Sequence, residues 1–210
     1  MKIWMTIIMP FVLFWVQDPM ERGETVRIQF KALMGQPASR LLAAISPTLS
    51  VKTVQQRLGA IELTIEIYND SDQEAELWNP RELVQTTITD KNGIRLNMPQ
   101  YPPKWIIDTV YPDKIPRDFK VLSMMSDSED VTREDSAADK IRIPSKQHYR
   151  ILLRIDRILS DPRQPSSLES RAIPPGRYAI KILLTLWSGP KANIETRAFE
   201  TTPIEVEVIE

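Results

Sequence analysis

The amino-acid sequence predicts an all-β protein in which two antiparallel sheets pack face to face as a sandwich. Apolar and polar residues alternate at a period of two in many short segments, which is the pattern of half-buried strands. Turn-forming residues separate these segments, and 17 prolines against 6 glycines are typical of strand ends and loops rather than helices. A chain of 210 residues is long enough for one sizeable core. We therefore expect a single domain over residues 23–210, with its core at about 50–209.

The segment AIELTIEIYND has the clearest alternation and predicts a long strand. One face of this strand carries Ile61, Leu63, Ile65 and Ile67, and the other carries Glu62, Thr64, Glu66 and Tyr68. The strand ends in the turn formers 69–72, and Gly59 before it favours a hairpin with the upstream segment LSVKTVQQR. Asn69-Asp70-Ser71 is also formally a glycosylation sequon. Weak helical spacing at residues 38–45 predicts one short helix.

Three further segments predict strands by the same alternation, namely ELVQTTITDKNGIRL, HYRILLRIDRIL and PIEVEVIE. In the first, the residues 90–93 tolerate positive φ and predict a hairpin turn. The alternating positions are Val84, Thr86 and Ile88 in the first segment, Ile151, Leu153 and Ile155 in the second, and Ile204, Val206 and Val208 in the third.

The stretch AIPPGRYAIKILLTLWSG, residues 172–189, predicts a sharp turn followed by a central strand. The two prolines hold the backbone extended, and Gly176 can take the φ that a tight turn needs. Leu183 and Trp187 lie on the face opposite to the predicted inward residues, so that face is not expected to be fully solvated. A tyrosine just inside such a strand, Tyr178, is typical of the tyrosine corner, in which the hydroxyl bonds to backbone. The predicted inward residues are Tyr178, Ile180, Ile182, Leu184 and Leu186.

Seven or more short strands without a βαβ rhythm favour a two-sheet immunoglobulin-like antiparallel β-sandwich with long loops and at most one short helix. A small barrel is the alternative. The turn sequences at 69–72, 90–93 and 175–178 resemble those of bacterial exported immunoglobulin-like domains of unknown function. They are more loosely similar to the bacterial intracellular proteinase inhibitor family. The resemblance covers about residues 50–209 and implies the fold alone; the apolar leader and insertions at 97–118 and 125–140 depart from the inhibitors.

The N-terminal segment 1–22 has the pattern of a signal peptide or an N-terminal membrane anchor. One lysine precedes an apolar run from Ile3 to Val16, which is shorter than the roughly 20 residues that span a bilayer. No pair of small residues follows the run as a cleavage site, so an uncleaved anchor stays open. Lys2 before the run and Asp18 after it would leave the rest of the chain exported.

The composition excludes several function classes. The formal net charge is −1, without the clustered basic face that nucleic-acid binding requires. The sequence has no cysteine, which excludes disulfides, thiolate metal sites and a cysteine nucleophile. His148 is the only histidine, and its place at a predicted strand start favours a surface or strand-end role over a catalytic triad.

Two segments with long loops are candidate sites. The acidic stretch 127–139 offers oxygen ligands for calcium, but its spacing does not match an EF-hand, so a solvated insertion is favoured. The proline-broken segment 97–112 carries aromatic residues that can form a binding platform, although Trp105 and Ile106 could instead cap the core. The tentative binding residues of this segment are Tyr101, Trp105 and Tyr111. Trp78, in the segment LWNP, is expected to belong to the core.

These observations lead to the hypothesis of a non-enzymatic, exported binding or structural module of the cell envelope. It would be periplasmic, extracellular or anchored facing outward, with a protein partner and without a cofactor or a bound metal. Gly176 and Tyr178 are assigned structural roles. The first alternative is a protease-inhibitor-like domain that acts through an exposed loop. The second is a hydrolase that uses scattered carboxylates, for which no residue pair is diagnostic.

Overall fold

The computed structural model describes residues 23–33, 39–55, 59–80, 84–96, 120–126, 130–131, 140–159 and 170–210. These residues form β-strands and one short α-helix, which confirms the all-β prediction. The elements are β1 (Thr25–Gln29), β2 (Lys31–Ala32), α1 (Arg40–Ala43), β3 (Ile45–Lys52), β4 (Val54–Gln55), β5 (Ile61–Asn69), β6 (Ala75–Trp78), β7 (Val84–Asp90), β8 (Lys120–Ser126), β9 (Asp130–Val131), β10 (Lys140–Ile143), β11 (His148–Ile155), β12 (Arg157–Leu159), β13 (Ser170–Ala172), β14 (Gly176–Ser188), β15 (Glu195–Glu200) and β16 (Ile204–Val208).

The strands form two packed sheets and a small separate pair. Sheet A has the antiparallel order β1-β3-β5-β11-β8-β9. Sheet B has the order β10-β6-β14-β15-β2, with β7 and β16 also beside β14. The strand β4 pairs with β16 in parallel, whereas the other pairs are antiparallel. The remaining pair joins β12 to β13.

The predicted central strand is β14, a strand of 13 residues that is paired along both of its edges. One edge carries β7 and then β6, and the other carries β16 and then β15. Every second residue from Tyr178 to Leu186 is buried, as the alternation predicted. Leu183 and Trp187 are half-buried on the outer face, which is likewise not fully solvated.

One continuous apolar core lies between the two sheets. The predicted inward residues Ile65, Ile182 and Val206 are at most 1% exposed and belong to the same cluster. Full burial of an Ile, Leu or Val side chain stabilises the fold by about 1.5–3 kcal/mol, so this interior is the main source of stability. Phe30 and Leu42 also belong to the cluster, so the core extends to the N-terminal side of residue 50.

The predicted turns and the short helix occupy their expected places. The helix α1 is capped by Ser39, whose Oγ accepts from the backbone N–H of Leu42 at 3.3 Å. β3 and β5 pair antiparallel as predicted, with Gly59 at a φ of +68° in the connection. They are not joined as a simple hairpin, because β4 lies between them in the chain and pairs with β16 of sheet B. The turn after β7 has Gly93 at a φ of +75°. Its returning limb pairs with β7 through Arg95 and Thr89, and the N–H of Leu96 donates to Ile88 O at 2.8 Å.

The N-terminal part of the chain passes from sheet A to sheet B twice, and it returns to sheet A before β3 and again before β5. β1 lies in sheet A and β2 in sheet B, so the chain changes sheet at Phe30. β3 lies in sheet A and β4 in sheet B, so it changes again at Thr53. The N–H of Thr53 donates to Glu24 O at 2.9 Å, and the N–H of Glu207 donates to Thr53 O at 2.8 Å. These two crossings join the sheets along one side of the sandwich.

Candidate functional site

The tentative binding residues Tyr101, Trp105 and Tyr111 lie outside the described residues, as does the segment 1–22. The acidic stretch 127–139 contributes only β9, at the edge of sheet A, to the described part of the chain. Within the described ranges, no group of three or more His, Cys, Asp or Glu side chains is placed to hold a metal ion. The candidate site must therefore be built from other residues.

His148 is the first residue of β11 and is half-buried. It lies opposite Tyr68 in the β11–β5 ladder, and the two rings are 4.7 Å apart between centroids at an interplanar angle of 33°. This tilted contact places the imidazole on the outer face of sheet A, against an aromatic neighbour.

Asn69 is fully buried at the end of β5, and its side chain organises the turn that follows. Its Nδ2 donates to three backbone carbonyls, those of Gln73 at 2.8 Å, Ile143 at 2.9 Å and Pro144 at 3.2 Å. Its Oδ1 accepts from Ser71 N at 3.0 Å and from Ser71 Oγ at 2.7 Å. Because the amide nitrogen is enclosed and hydrogen-bonded, this sequon asparagine is not an acceptor for glycosylation in the folded chain.

Tyr178 and Gly176 form the corner that precedes β14. The hydroxyl of Tyr178 donates to Pro174 O at 2.6 Å, four residues earlier in the chain. Burial raises the pKa of Tyr178 above its usual value. Gly176 has a φ of +156°, which L residues rarely adopt. This geometry is a structural anchor of the turn between β13 and β14, which leads from the small strand pair into sheet B.

Polar side chains on the outer face of sheet A form a cross-strand ion network. The Glu66 carboxylate lies 3.3 Å from the Arg27 guanidinium and 3.1 Å from that of Arg150. The Glu66 side chain is only 13% exposed, whereas Arg27 is 68% exposed. The two arginines neutralise a largely buried carboxylate that would otherwise be an unpaired charge.

The most organised aromatic surface lies on the outer face of sheet B, around Trp78. Contrary to the sequence prediction, Trp78 is half-buried and does not belong to the core. The physical reason is strand parity, since Ala75 and Leu77 of β6 point inward and are fully buried. The indole Nε1 donates to Gly189 O at 3.0 Å, which fixes the ring against the turn between β14 and β15.

Two lysines flank the Trp78 ring. Lys140 lies opposite Trp78 in the β10–β6 ladder, and its Nζ is 5.4 Å from the ring centroid. Lys191, in the turn between β14 and β15, has its Nζ 5.6 Å from the same centroid. Both distances are within the range of cation–π attraction. We call Glu76, Trp78, Lys140 and Lys191 the tryptophan patch.

The charges of the tryptophan patch are only partly balanced. Lys140 forms a salt bridge and hydrogen bond with Glu76, and these contacts hold the pKa of Glu76 below its usual value. Arg142 lies 3.7 Å from the same carboxylate. Lys191 is exposed, and within the described chain its ammonium contacts the Trp78 ring. The patch therefore presents a fixed aromatic ring beside a positive charge that a carboxylate can neutralise.

Trp187 lies beside the patch on β14. Ser188 pairs with Leu77 and both point inward, so the preceding Trp187 and the following Trp78 both face outward next to this pair. Both rings are half-buried. The alternation of the segment AELW could have shown that Trp78 faces outward, because an inward Leu77 requires it. It could not have shown that Trp187 lies beside Trp78, since that depends on the pairing of β14 with β6.

No protein-family model and no curated protein matches this chain. None of the helices in the described part of the chain is long and apolar enough to cross a membrane.

Proposed function

We propose that this chain is a non-enzymatic, exported binding module of the cell envelope. In this proposal the N-terminal segment 1–22 directs export and holds the sandwich at the membrane, and the tryptophan patch contacts a protein partner. The apolar run from Ile3 to Val16 after a single lysine supports the first part. The fixed geometry around Trp78 supports the second.

We also propose an immunoglobulin-like topology for the sandwich. The order β3-β5-β11-β8 in one sheet and β7-β14-β16 in the other supports it, because seven-strand immunoglobulin domains have the same connectivity. The parallel pairing of β4 with the last strand also supports it. Domains of this topology carry many unrelated functions, so the binding role is argued from the patch.

The observation that carries the binding proposal is the immobilised Trp78 ring. Its hydrogen bond to Gly189 and its two lysine neighbours fix the side chain before any partner arrives. A contact residue that is already ordered loses little conformational entropy on binding, and tryptophan is among the residues that dominate interface energies. Because Lys191 offers an exposed positive charge beside the ring, the proposed partner presents a carboxylate at this position.

Site-specific photo-crosslinking in cells tests this proposal. A photoreactive residue at the position of Ala192, which follows Lys191, is expected to give one discrete protein adduct, and the same residue at the position of Ala32 is expected to give none. Ala32 is a matched control because it is also an exposed alanine, on the edge strand β2 of sheet B. Trp78→Ala should abolish the adduct while the melting temperature confirms that the variant folds.

Two outcomes contradict the proposal. Identical adducts from both positions would show non-specific capture, and an adduct that survives Trp78→Ala would show that the ring is not part of the contact. The variant Trp105→Ala separates the patch from the aromatic segment that the sequence singled out. Loss of the adduct with this variant alone would assign the contact to the segment 97–112.

A further inference from the structure

The point where the N-terminal segment enters the sandwich and the turn at 91–95 lie at the same end of the molecule. The backbone N–H of Thr53 donates a hydrogen bond to Glu24 O, and the N–H of Glu207, at the end of β16, donates to Thr53 O. β16 and β7 flank β14 at its first residues, where Asp90 lies opposite Tyr178. Since β4, β16, β14 and β7 are neighbours, the turn lies about 14 Å from this entry point, at about 4.8 Å per strand.

The turn at 91–95 presents an apolar side chain on a fixed backbone. The Asp90 carboxylate accepts from the backbone N–H groups of Asn92 and Ile94, each at 2.8 Å, and Gly93 N donates to Asp90 O at 3.0 Å. Ile94 is 38% exposed, and in the sequence the exposed Lys91 lies three residues before it and the exposed Arg95 directly after it. An exposed isoleucine between two cations has the chemistry of an interfacial membrane contact.

The charge distribution distinguishes this end from the other. Among the described loops and strand ends here, the exposed basic residues outnumber the exposed acidic ones. The basic residues are Lys52, Lys91, Arg95, Arg157, Arg171 and Arg177, and the acidic ones are Glu24 and Glu210. Arg177 also forms a salt bridge with the half-buried Glu207 at 3.6 Å, so five basic residues remain against these two acids. At the opposite end the described exposed charges are balanced: Arg40, Arg142, Lys146 and Lys191 against Asp70, Asp72, Glu74 and Glu195. We call the first set, with Ile94, the basic end.

The connection between the apolar run and the sandwich is short. The run ends at Val16 and β1 begins at Thr25, so residues 17–24 span at most about 28 Å when fully extended. The tryptophan patch lies near Ser188 at the far end of β14, about 40 Å away at about 3.3 Å per residue. An anchored chain would therefore hold the basic end next to the membrane and the patch away from it.

We propose that the basic end lies against a bilayer surface rich in anionic phospholipid. Ile94 enters the interface, and Lys91 and Arg95 contact the headgroup phosphates. This inference rests on the proposed function in one respect, which is that the N-terminal segment holds the protein at a membrane. It adds the orientation of the sandwich, with the tryptophan patch directed away from the bilayer.

Fluorescence quenching on the full-length chain in vesicles tests this orientation. Because the chain has no cysteine, Asn92→Cys and Asp72→Cys each provide a single labelling site, at the basic end and at the opposite end, and both leave Ile94 in place. Each labelled protein is reconstituted into vesicles of phosphatidylcholine and phosphatidylglycerol in equal parts, with a headgroup-located quencher. We expect loss of fluorescence from the label at position 92 and none from the label at position 72. Replacing phosphatidylglycerol by phosphatidylcholine, or adding Lys91→Gln and Arg95→Gln, should restore the signal at position 92.

The outcomes separate this inference from the proposed function. A chain that does not float with the vesicles overturns the membrane tether and with it the orientation. A chain that floats with an unquenched label at position 92, or with equal quenching at both positions, overturns the orientation alone. Quenching at position 92 that is unchanged in phosphatidylcholine vesicles or in the charge variant overturns the anionic-lipid contact. Circular dichroism of each variant confirms that the fold is intact.

Discussion

The substitution Asn69→Asp should destabilise the sandwich strongly although it keeps the shape of the side chain. The Asn69 amide lies in a fully buried site, where its nitrogen donates to the carbonyls of Gln73, Ile143 and Pro144. Replacing this nitrogen by a carboxylate oxygen removes both N–H donors and sets a negative charge against three carbonyl oxygens. The bonds from Ser71 to Oδ1 persist, since a carboxylate still accepts them.

The size of the effect follows mainly from the buried charge. Gln73 O keeps a hydrogen bond from Ser71 Oγ at 2.7 Å and Pro144 O keeps one from Gln147 N at 3.3 Å, so these two carbonyls are not left without a donor. A buried charge without a compensating partner costs about 3–5 kcal/mol. Allowing for stronger bonds from Ser71 to the charged oxygen, we expect a loss of about 2–4 kcal/mol in the free energy of unfolding. This is a large part of the roughly 5–15 kcal/mol typical of a folded protein.

The pH dependence of Asn69→Asp has a defined sign. Burial and the facing carbonyls raise the folded-state pKa of the introduced carboxyl above its unfolded value of about 3.9. The folded state of the variant then binds a proton more readily than the unfolded state, so the deficit relative to wild type shrinks as the pH falls from about 7 toward about 4. This trend is opposite to that of an ordinary paired carboxylate.

Urea denaturation of wild type and variant over this pH range measures both effects. The matched control is Asn193→Asp, because Asn193 is exposed in the turn between β14 and β15 and undergoes the same chemical change. We expect the control to change stability by less than about 0.5 kcal/mol. A loss below about 1 kcal/mol for Asn69→Asp, or a deficit that does not depend on pH, would refute the reasoning about the buried amide.

Three further predictions concern the corner and two turns. Tyr178→Phe removes the hydroxyl that donates to Pro174, and should lower the free energy of unfolding by about 1–2 kcal/mol and the melting temperature by roughly 2–8 °C. Gly189→Ala should cost about 1–3 kcal/mol, because the φ is +91° and a Cβ would lie 2.7 Å from Asn193 O. The pKa of Asp90 is lowered from 3.8, chiefly by the N–H of Ile94. The ionised Asp90 therefore stabilises the fold above its unfolded pKa, and this stabilisation is lost as the pH falls through the lower folded pKa. Asp90→Asn should reduce the dependence of the free energy of unfolding on pH below about 4.

Each of these predictions has its own control and contrary result. Tyr68→Phe, on the outer face of sheet A, should change the denaturation midpoint less than Tyr178→Phe does. An equal change would show that the hydrogen bond from Tyr178 to Pro174 does not contribute more than an ordinary tyrosine hydroxyl. Gly93→Ala introduces a Cβ that meets no atom within 4 Å, so its cost should reflect backbone strain alone. If Gly189→Ala lowers the free energy of unfolding less than Gly93→Ala does, the contact between the added Cβ and Asn193 O does not determine the cost. If the free energy of unfolding depends on pH in the same way in wild type and in Asp90→Asn, the Asp90 carboxylate does not stabilise the turn through its hydrogen bonds.

The inner faces of the long strands could be predicted from the sequence, because a buried face requires an apolar residue at every second position of a strand. Ile65 and Ile182 are fully buried in strands whose polar positions point outward. Alternation does not state which sheet a strand joins, so the crossings at Phe30 and Thr53 had no counterpart in the sequence pattern. The error at Trp78 arose from judging the residue by its size rather than by its parity with Leu77.

The candidate site was beyond sequence reasoning for a different reason. Lys140 and Lys191 are far from Trp78 along the chain, and no local motif connects the three. They meet because the β10–β6 register places Lys140 opposite Trp78 and because the turn after Ser188 directs Lys191 over the ring. Such a site depends on tertiary pairing, which composition and spacing do not encode.

The two crossings between the sheets also determine how the domain bears mechanical force. A pull on Gly23 along the strand axes would load the β1–β3 ladder in shear, so that its hydrogen bonds share the tension instead of rupturing one after another. β2 and β4, which follow β1 and β3 in the chain, are hydrogen-bonded within sheet B. Separation of the N-terminal strands from Gly23 onwards would therefore have to break hydrogen bonds in both sheets.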